Sequence, residues 1–352
     1  MSKFRSVLFA VAKLEHFNNN SKMTISRASF SSIPIIDISP LIKMRSHPKH
    51  YDQDDMKEKK VVKEIDEACR KVGFFYVQGH GVPFEMIDLV RKLGHDFFNL
   101  STEEKHTIKM TQASGWRGYQ TLGENVTKGI SDMHEAIDYF RDCDAEFPRL
   151  LHEDHPLSGR NLWPSSPAAF QPVYKQYLTI MQDLGRTILE AIGLALVGSR
   201  DAFEGTRAGN PFWLLRVIGY PPMEQKVTEV GCGEHTDYGL LTLVNQDDGI
   251  RALQVKNEDG DWIWADPIPG TFVVNIGDML KVWSNGEYMP TVHRVLNDGS
   301  KYRVSVPYFY EPNFDAVVEP LDICKKRAEG ISKYAPVVYG DHLTNKILNN
   351  FK

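Results

Sequence analysis

Cysteine is sparse in this chain of 352 residues, and the four present, Cys69, Cys143, Cys232 and Cys324, stand far apart with no Cys-x-x-Cys unit. That excludes a cysteine zinc site and a disulfide framework, and it suits a reducing compartment. Long apolar runs are missing too. The longest near the start, residues 7–12, is interrupted at Lys13, well short of the roughly 18 to 20 residues that span a bilayer. Nor is there a basic excess: 41 Lys and Arg stand against 46 Asp and Glu, a net charge of −5. Without a basic stripe interleaved with aromatics, neither nucleic acid nor membrane is expected as a partner. What remains is ordinary for a soluble globular protein, with 42% hydrophobic and 25% charged residues, enough to build a sizeable core.

The first 30 residues differ in composition. Lys3, Arg5, Lys13, Lys22 and Arg27 face one acidic residue, Glu15, among several serines, as in an organellar transit peptide. The alternatives are a disordered tail, or upstream sequence skipped when translation begins at Met23. The expected location is cytoplasmic, or a mitochondrion or plastid if 1–30 direct import. Oligomeric state is not legible.

Order is expected from residue 33, with a short β-rich run at 33–38. A helix is expected over 62–72 from the apolar spacing of Val62, Ile65, Ala68 and Val72. A strand at 73–77 then closes on the turn Gly79-His80-Gly81, where His80 reads as structural. The segment 83–109 reads as a helix with Ile87, Val90, Leu93 and Phe97 on one face, then a shorter one after the cap signal Ser101-Thr102-Glu103-Glu104. Residues 167–197 read as a long helix with Tyr177, Met181, Leu184, Ile188 and Ile192 directed to the core. After Asn210 the period switches to 2, giving strands at 214–220, 239–246, 252–256, 261–265, 271–276 and 302–310. Asn257-Glu258-Asp259-Gly260 marks a hairpin. The fold class is mainly β with α: a double-stranded β-helix, or jelly roll, with N-terminal and supporting helices. The expected regions are an extension (1–30), an N-terminal helix and strand region (31–165) and the jelly-roll core (166–345).

Chemistry is concentrated in the strand-rich half. His235-Thr236-Asp237 is followed by His293 and then by Arg303-Val304-Ser305. Two imidazoles and one carboxylate are the ligands of a facial triad that holds non-haem Fe(II) and leaves coordination positions open. On an extended segment residues i and i+2 point the same way, so His235 and Asp237 can grip one ion, and Arg303 and Ser305 share a face. A His-x-Asp alone is common, and His293 alone reads more readily as a satisfied core or surface histidine than as a ligand; their fixed order in a strand-and-turn region is what gives them weight.

The runs GIRALQVKNEDGDWIWADPIPG, FVVNIGDMLKVWSNGEYMPTVHRV and YRVSVPYFYEPNFDAVVEPL, with IPIIDISPL and GFFYVQGHGVP near the start, resemble the plant-type branch of the 2-oxoglutarate and Fe(II)-dependent dioxygenases over residues 33–345. Position by position, the resemblance implies that His235, Asp237 and His293 hold iron. It also implies that Arg303, Ser305 and Tyr220 bind the distal carboxylate of 2-oxoglutarate, for which a guanidinium offers a planar fork. Many plant members carry asparagine two positions before that tyrosine, where this chain has Ile218. The implied reaction uses Fe(II), 2-oxoglutarate and O2, with ascorbate as a supporting reductant, releases succinate and CO2, and hydroxylates an unreactive C–H bond of a small molecule.

A narrower likeness lies in WRGYQTLGENVTKGISDMHEAIDYF (116–140), HTDYGLLTL and YGDHLTN, which are similar to the ethylene-forming enzyme and the plant arginine and homoarginine hydroxylases. In that group a Gly-Glu loop and a threonine embrace the substrate guanidinium, which implies Glu124, Thr127 and Tyr238 as substrate residues here. This chain departs from the bacterial pattern at Asn125 and Asn349, which argues for hydroxylation of a guanidino amino acid rather than ethylene release. The competing readings are the same chemistry on an apolar plant-type metabolite lined by Trp116, Tyr119, Phe212 and Phe309, a non-catalytic metal-binding jelly roll, and a zinc hydrolase, to which two histidines, an aspartate and a keto-acid clamp are less suited.

Overall fold

The computed structural model describes residues 29–46, 51–142, 155–222, 230–297 and 301–350, with side chains at 46, 51–55 and 349–350 left out. The readings of residues 1–28, of Cys143 and of the Asn349 side chain lie outside this description.

The strands that build the body, in chain order, are β1 (Ile35–Asp37), β2 (Phe74–Gln78), β3 (Gly118–Gln120), β4 (Val126–Thr127), β5 (Ile130–Ser131), β6 (Glu135–Phe140), β7 (Trp213–Tyr220), β8 (Val230–His235), β9 (Leu241–Gln246), β10 (Leu253–Lys256), β11 (Trp262–Trp264), β12 (Phe272–Ile276), β13 (His293–Leu296) and β14 (Arg303–Tyr310). Eight form a major sheet in the order β1-β2-β12-β9-β14-β7-β6-β3, and four form a minor sheet, β11-β10-β13-β8. Only β1–β2 is a parallel pair in these two sheets. Strands from both sides of residue 165 share the major sheet, so that position separates stretches of sequence and not independently built cores.

Alternation along the central strands divides the interior in two. Leu215 and Val217 of β7, with Val304, Val306, Tyr308 and Tyr310 of β14, belong to a large core behind the major sheet. The helix Phe170–Val197 closes that core, burying Tyr177, Met181, Leu184, Ile188 and Ile192 as its 3.6 spacing requires, with about 2 kcal/mol gained per large apolar side chain removed from water. The helix Phe84–Phe98 adds Ile87, Val90, Leu93 and Phe97, and Ser101 and Glu104 form a capping box on the short helix after it. Ile218 and Tyr220, from the other face of β7, join a smaller core with Leu253, Val255 and Val295 of the minor sheet. That inter-sheet space is where a jelly roll holds its ligand.

The helix Phe170–Val197, the hairpin at Asn257–Gly260 and most expected strands stand where the period put them, within a few residues, whereas the helix expected over 62–72 already begins at Tyr51 and the one expected over 83–109 ends at Phe98. His80 is structural as expected, its ring bonded to the Gly270 carbonyl and the Val82 amide. In the helix Tyr51–Lys71 the valine turned to the core is Val61, while Val62 is only half-buried. Within the two sheets, β3, β6, β8 and β13 fall outside the segments expected to be strands.

Candidate active site

β8 and β13 are neighbours in the minor sheet, and His235 stands directly opposite His293, with ring centroids 4.2 Å apart. Asp237 Oδ1 lies 3.6 Å from His235 Nε2 and 3.7 Å from His293 Nε2. The three donors thus converge within 4.8 Å of one another. The route differs from the one expected, however. β8 ends at His235, and Asp237 is brought round by a turn instead of by strand alternation. That turn is pinned to the segment after β12: the amides of Asp278 and Met279 donate to the carbonyls of Asp237 and Gly239 at 2.8 and 2.9 Å, and the Thr236 hydroxyl donates to Asp278.

Each converging side chain is held by its far end. His235 Nδ1 bonds to the Gly233 carbonyl at 2.7 Å and His293 Nδ1 to that of Thr291 at 3.1 Å, which assigns a proton to each Nδ1 and turns each Nε2 toward Asp237. Asp237 Oδ2 accepts from the Thr242 hydroxyl and from Asn275 Nδ2, leaving Oδ1 for a cation. Burial works against the Asp237 anion, but His293, His235, Asn275 and Thr242 together hold it below the usual carboxylate range. Burial and the charge of His235 push His293 down to about 4, so it presents a neutral ring. Burial also opposes charge on His235, yet Cys232, Asp237 and the Gly233 carbonyl raise it to about 10. Two nitrogens and one anionic oxygen on one side of a small space suit Fe(II), whose binding displaces the histidine proton.

The second cluster lies across the inter-sheet space. Tyr220 is the cross-strand partner of Arg303, and Ile218 that of Ser305, so all four share the inner face. Arg303 is 2% exposed; its Nη2 donates to Gln246 Oε1 at 2.9 Å, its Cζ stands 5.0 Å from the Tyr220 ring centroid, and its Nε and Nη1 are buried without a hydrogen bond. Burial pushes its pKa down without removing the charge. Burial pushes the Tyr220 phenol up to about 12, so it stays a neutral donor. A buried guanidinium with two idle nitrogens, flanked by the hydroxyls of Tyr220 and Ser305, fits a carboxylate. Ile218, where an amide was looked for, packs in the smaller core and offers no polar atom.

The three residues expected to meet substrate separate. Thr127 stands against β8, where its methyl and Cβ would be 2.9 Å from a Cβ at Gly233. Tyr238 follows Asp237 and faces the C-terminal helix Tyr339–Asn350, with Lys346 Nζ 5.2 Å above its ring and His342 at its edge. Glu124 points elsewhere: it accepts from the Thr121 amide at 3.0 Å, pairs with Lys109 Nζ at 3.3 Å and has a side chain 40% exposed. Of the four aromatics considered for an apolar pocket, Tyr119 and Phe212 belong to the large core behind the sheet and Trp116 packs against it. Phe309 alone of the four alternates with Arg303 and Ser305 onto the inner face.

Several residues of the site gave no sign in the sequence. Thr242, Asn275 and Gln246 orient the ligands from strands whose partners are remote in the chain. Asp132, 3% exposed, touches β8 two residues before His235. Arg216, on the same face as Ile218 and Tyr220, pairs with buried Asp138 at 2.7 Å while its Nη2 makes no hydrogen bond.

Comparison with known proteins bears on this geometry directly. The family model described as 2OG-Fe(II) oxygenase superfamily matches residues 211–312, and that described as non-haem dioxygenase in morphine synthesis N-terminal matches 33–166. A rice protein (Oryza sativa subsp. japonica) named homoarginine-6-hydroxylase 2-ODD-233 is 53% identical over 330 residues, covering 92% of this chain and 99% of the relative. The chain belongs to the 2OG-Fe(II) oxygenase superfamily. A soybean (Glycine max) member named homoarginine-6-hydroxylase 2-ODD-C23 is 54% identical, covering 92% of this chain and 98% of the relative. Among solved structures, a full-length Neurospora crassa protein in complex with alpha-KG and thymine aligns with a TM-score of 0.76 at 26% identity, covering 90% of this chain and 96% of that one. As an oxygenase of this superfamily the protein uses Fe(II) and 2-oxoglutarate, and no described helix is long and apolar enough to cross a membrane.

Proposed function

We propose that this oxygenase hydroxylates homoarginine, coupling that oxidation to conversion of 2-oxoglutarate and O2 into succinate and CO2. One oxygen atom enters the substrate C–H bond and the other enters succinate, so the electrons balance without an external reductant; ascorbate serves to keep iron reduced between turnovers. The reaction class is carried by one observation, the buried Arg303 with two idle nitrogens on the sheet facing a two-histidine, one-carboxylate cluster. The substrate rests on four plant relatives named homoarginine-6-hydroxylase, 48–54% identical over nearly their full length.

His235, Asp237 and His293 would hold iron, which supplies the O2 chemistry when bound. The chain's own part is to orient and exclude. Arg303, Tyr220 and Ser305 fix the far carboxylate of 2-oxoglutarate, so its keto-acid end is presented to the triad. Asn275 and Thr242 keep Asp237 from swinging, and the smaller core shields the space from water.

Purified protein supplied with Fe(II), 2-oxoglutarate, ascorbate and air should release succinate in response to homoarginine and yield a product heavier by one oxygen. Succinate release unaffected by any basic amino acid, but stimulated by a phenolic or hormone panel, would transfer the assignment to an apolar metabolite; the location of Trp116, Tyr119 and Phe212 in or against the rear core weighs against that outcome. A non-catalytic metal store would give no absorption band from 2-oxoglutarate on Fe(II) in the absence of air, and the carboxylate clamp argues against it. We assign the protein to the cytoplasm, unless residues 1–30 direct import into an organelle. A fluorescent fusion of the full chain decides between them.

A further inference from the structure

β8 is irregular between Val230 and His235, where its register against β13 shifts twice, and its glycines show what the strand meets there. A Cβ at Gly231 would come within 2.8 Å of the Tyr220 ring, and one at Gly233 within 2.9 Å of Thr127 and 3.6 Å of Asp132 Oδ1. In order along this one strand, therefore, stand Tyr220 of the 2-oxoglutarate cluster, then Thr127 with Asp132, then the iron ligand. Asp132 Oδ1 accepts from the Gly233 amide at 2.8 Å and Oδ2 from the Thr127 hydroxyl at 2.7 Å. At 3% exposure it is a desolvated carboxylate, and no lysine, arginine or histidine among the described residues forms an ion pair with it. Acidic side chains are rarely buried without a cation, because losing water costs several kcal/mol that one or two neutral donors do not restore.

We propose that Asp132, with Thr127 beside it, is the acceptor for the guanidinium of the substrate; this rests on the homoarginine reading. Each Asp132 oxygen has one protein donor and keeps a lone pair. Two such oxygens meet the planar fork of a guanidinium bidentately. The pair is rigidly placed: Lys128 and Gly129 turn the β4–β5 hairpin with φ of 50° and 81°, as a two-residue I′ connection requires. The Met133 amide and His134 Nδ1 fasten its exit to the carbonyls of Val230 and Gly231 at 3.1 and 2.7 Å. The acceptor is thus tied to the backbone two residues from His235, which puts the carbon bearing the guanidino nitrogen next to the metal centre. Glu124 cannot take this part while Lys109 and Thr121 satisfy it outside.

Asp132→Asn keeps the shape and both hydrogen-bonding neighbours but removes the charge. Homoarginine and its neutral analogue homocitrulline, with urea in place of guanidinium, are the probes, and the anaerobic absorption band of Fe(II) with 2-oxoglutarate reports an intact site. The band should persist in D132N, its perturbation by added homoarginine should vanish, and KM for homoarginine should rise about 30-fold or more, while the preference for homoarginine over homocitrulline collapses. Thr127→Val should move KM in the same direction by less, and Glu124→Gln by no more than about threefold. An active wild type whose D132N variant keeps its KM and its preference overturns this assignment alone, as does a loss confined to E124Q. A wild type indifferent to every guanidino amino acid overturns the substrate reading together with it.

Discussion

The two faces of β14 behave in opposite ways. Rearward, Val304, Val306, Tyr308 and Tyr310 are fully buried against helices, and where β6 and β14 leave a polar atom idle there, it is a neutral hydroxyl, as at Tyr139 and Tyr308. Inward, Arg303 and, on β7, Arg216 are buried guanidiniums with N–H groups left over. An unpaired hydroxyl costs about 1–3 kcal/mol, and an unpaired buried charge costs considerably more. The rear face therefore holds the protein together, while the inner face spends part of that stability on groups that only a ligand completes.

The largest test of this contrast removes the inner charge. Arg303→Met should raise KM for 2-oxoglutarate by about 100-fold or more, since a buried ionic hydrogen-bond partner is worth about 3 kcal/mol or more. The melting temperature of the ligand-free protein should hold or rise, because a desolvated cation is replaced by an apolar side chain. Succinate formation against 2-oxoglutarate concentration and a thermal melt measure the two halves. A variant that binds the keto acid normally, or loses stability markedly, would erase the distinction between the faces.

Glu311 extends the contrast to pH. It is 3% exposed beside Tyr339 and Gly239, and burial raises its pKa from 4.5 to about 8. The unfolded chain ionises this group first, so between about pH 4.5 and 8 the folded state binds more protons and stability falls as pH rises. At pH 7 the difference amounts to about 3 kcal/mol. Glu311→Gln in metal-free protein should remove that cost: the variant melts higher than wild type at pH 7, and the two converge near pH 4. A constant offset across that range would mean that the carboxyl is already ionised in the fold.

How much of this was legible follows the same division. The rear face announces itself by period, in the 3.6 spacing through Tyr177, Met181 and Ile188 and the alternation through β7 and β14, because packing against a helix selects apolar residues at regular intervals. The triad and the Arg303 clamp were legible as motifs. β8 was not, since its Val-Gly-Cys-Gly-Glu-His sequence has poor strand propensity. Its glycines answer to Tyr220 and Thr127, contacts that no local pattern encodes. Glu124 is held by Lys109, an ion pair between separate segments that no local pattern announces. The turn to Asp237 depended on amides of Asp278 and Met279, also remote in the chain.

The smallest effect should come from the rear face, and it should be of the opposite kind. Gly185 lies mid-helix, where a Cβ would stand 2.4 Å from the Tyr310 ring; the helix approaches β14 this closely only because the side chain is absent. Gly185→Ala gains about 1 kcal/mol in helix propensity but forces helix and ring apart, and overpacking of a tight core costs about 1–3 kcal/mol, so a net loss of about 1 kcal/mol is expected. Tyr310 alternates away from the inner face, so KM for 2-oxoglutarate and for homoarginine should stay within about twofold, the range expected of a change that touches no ligand. Denaturant melts paired with steady-state kinetics read both quantities. A shift in either KM without loss of stability would mean that the rear packing sets the position of Arg303, and the two faces would then have to be treated as one mechanical unit.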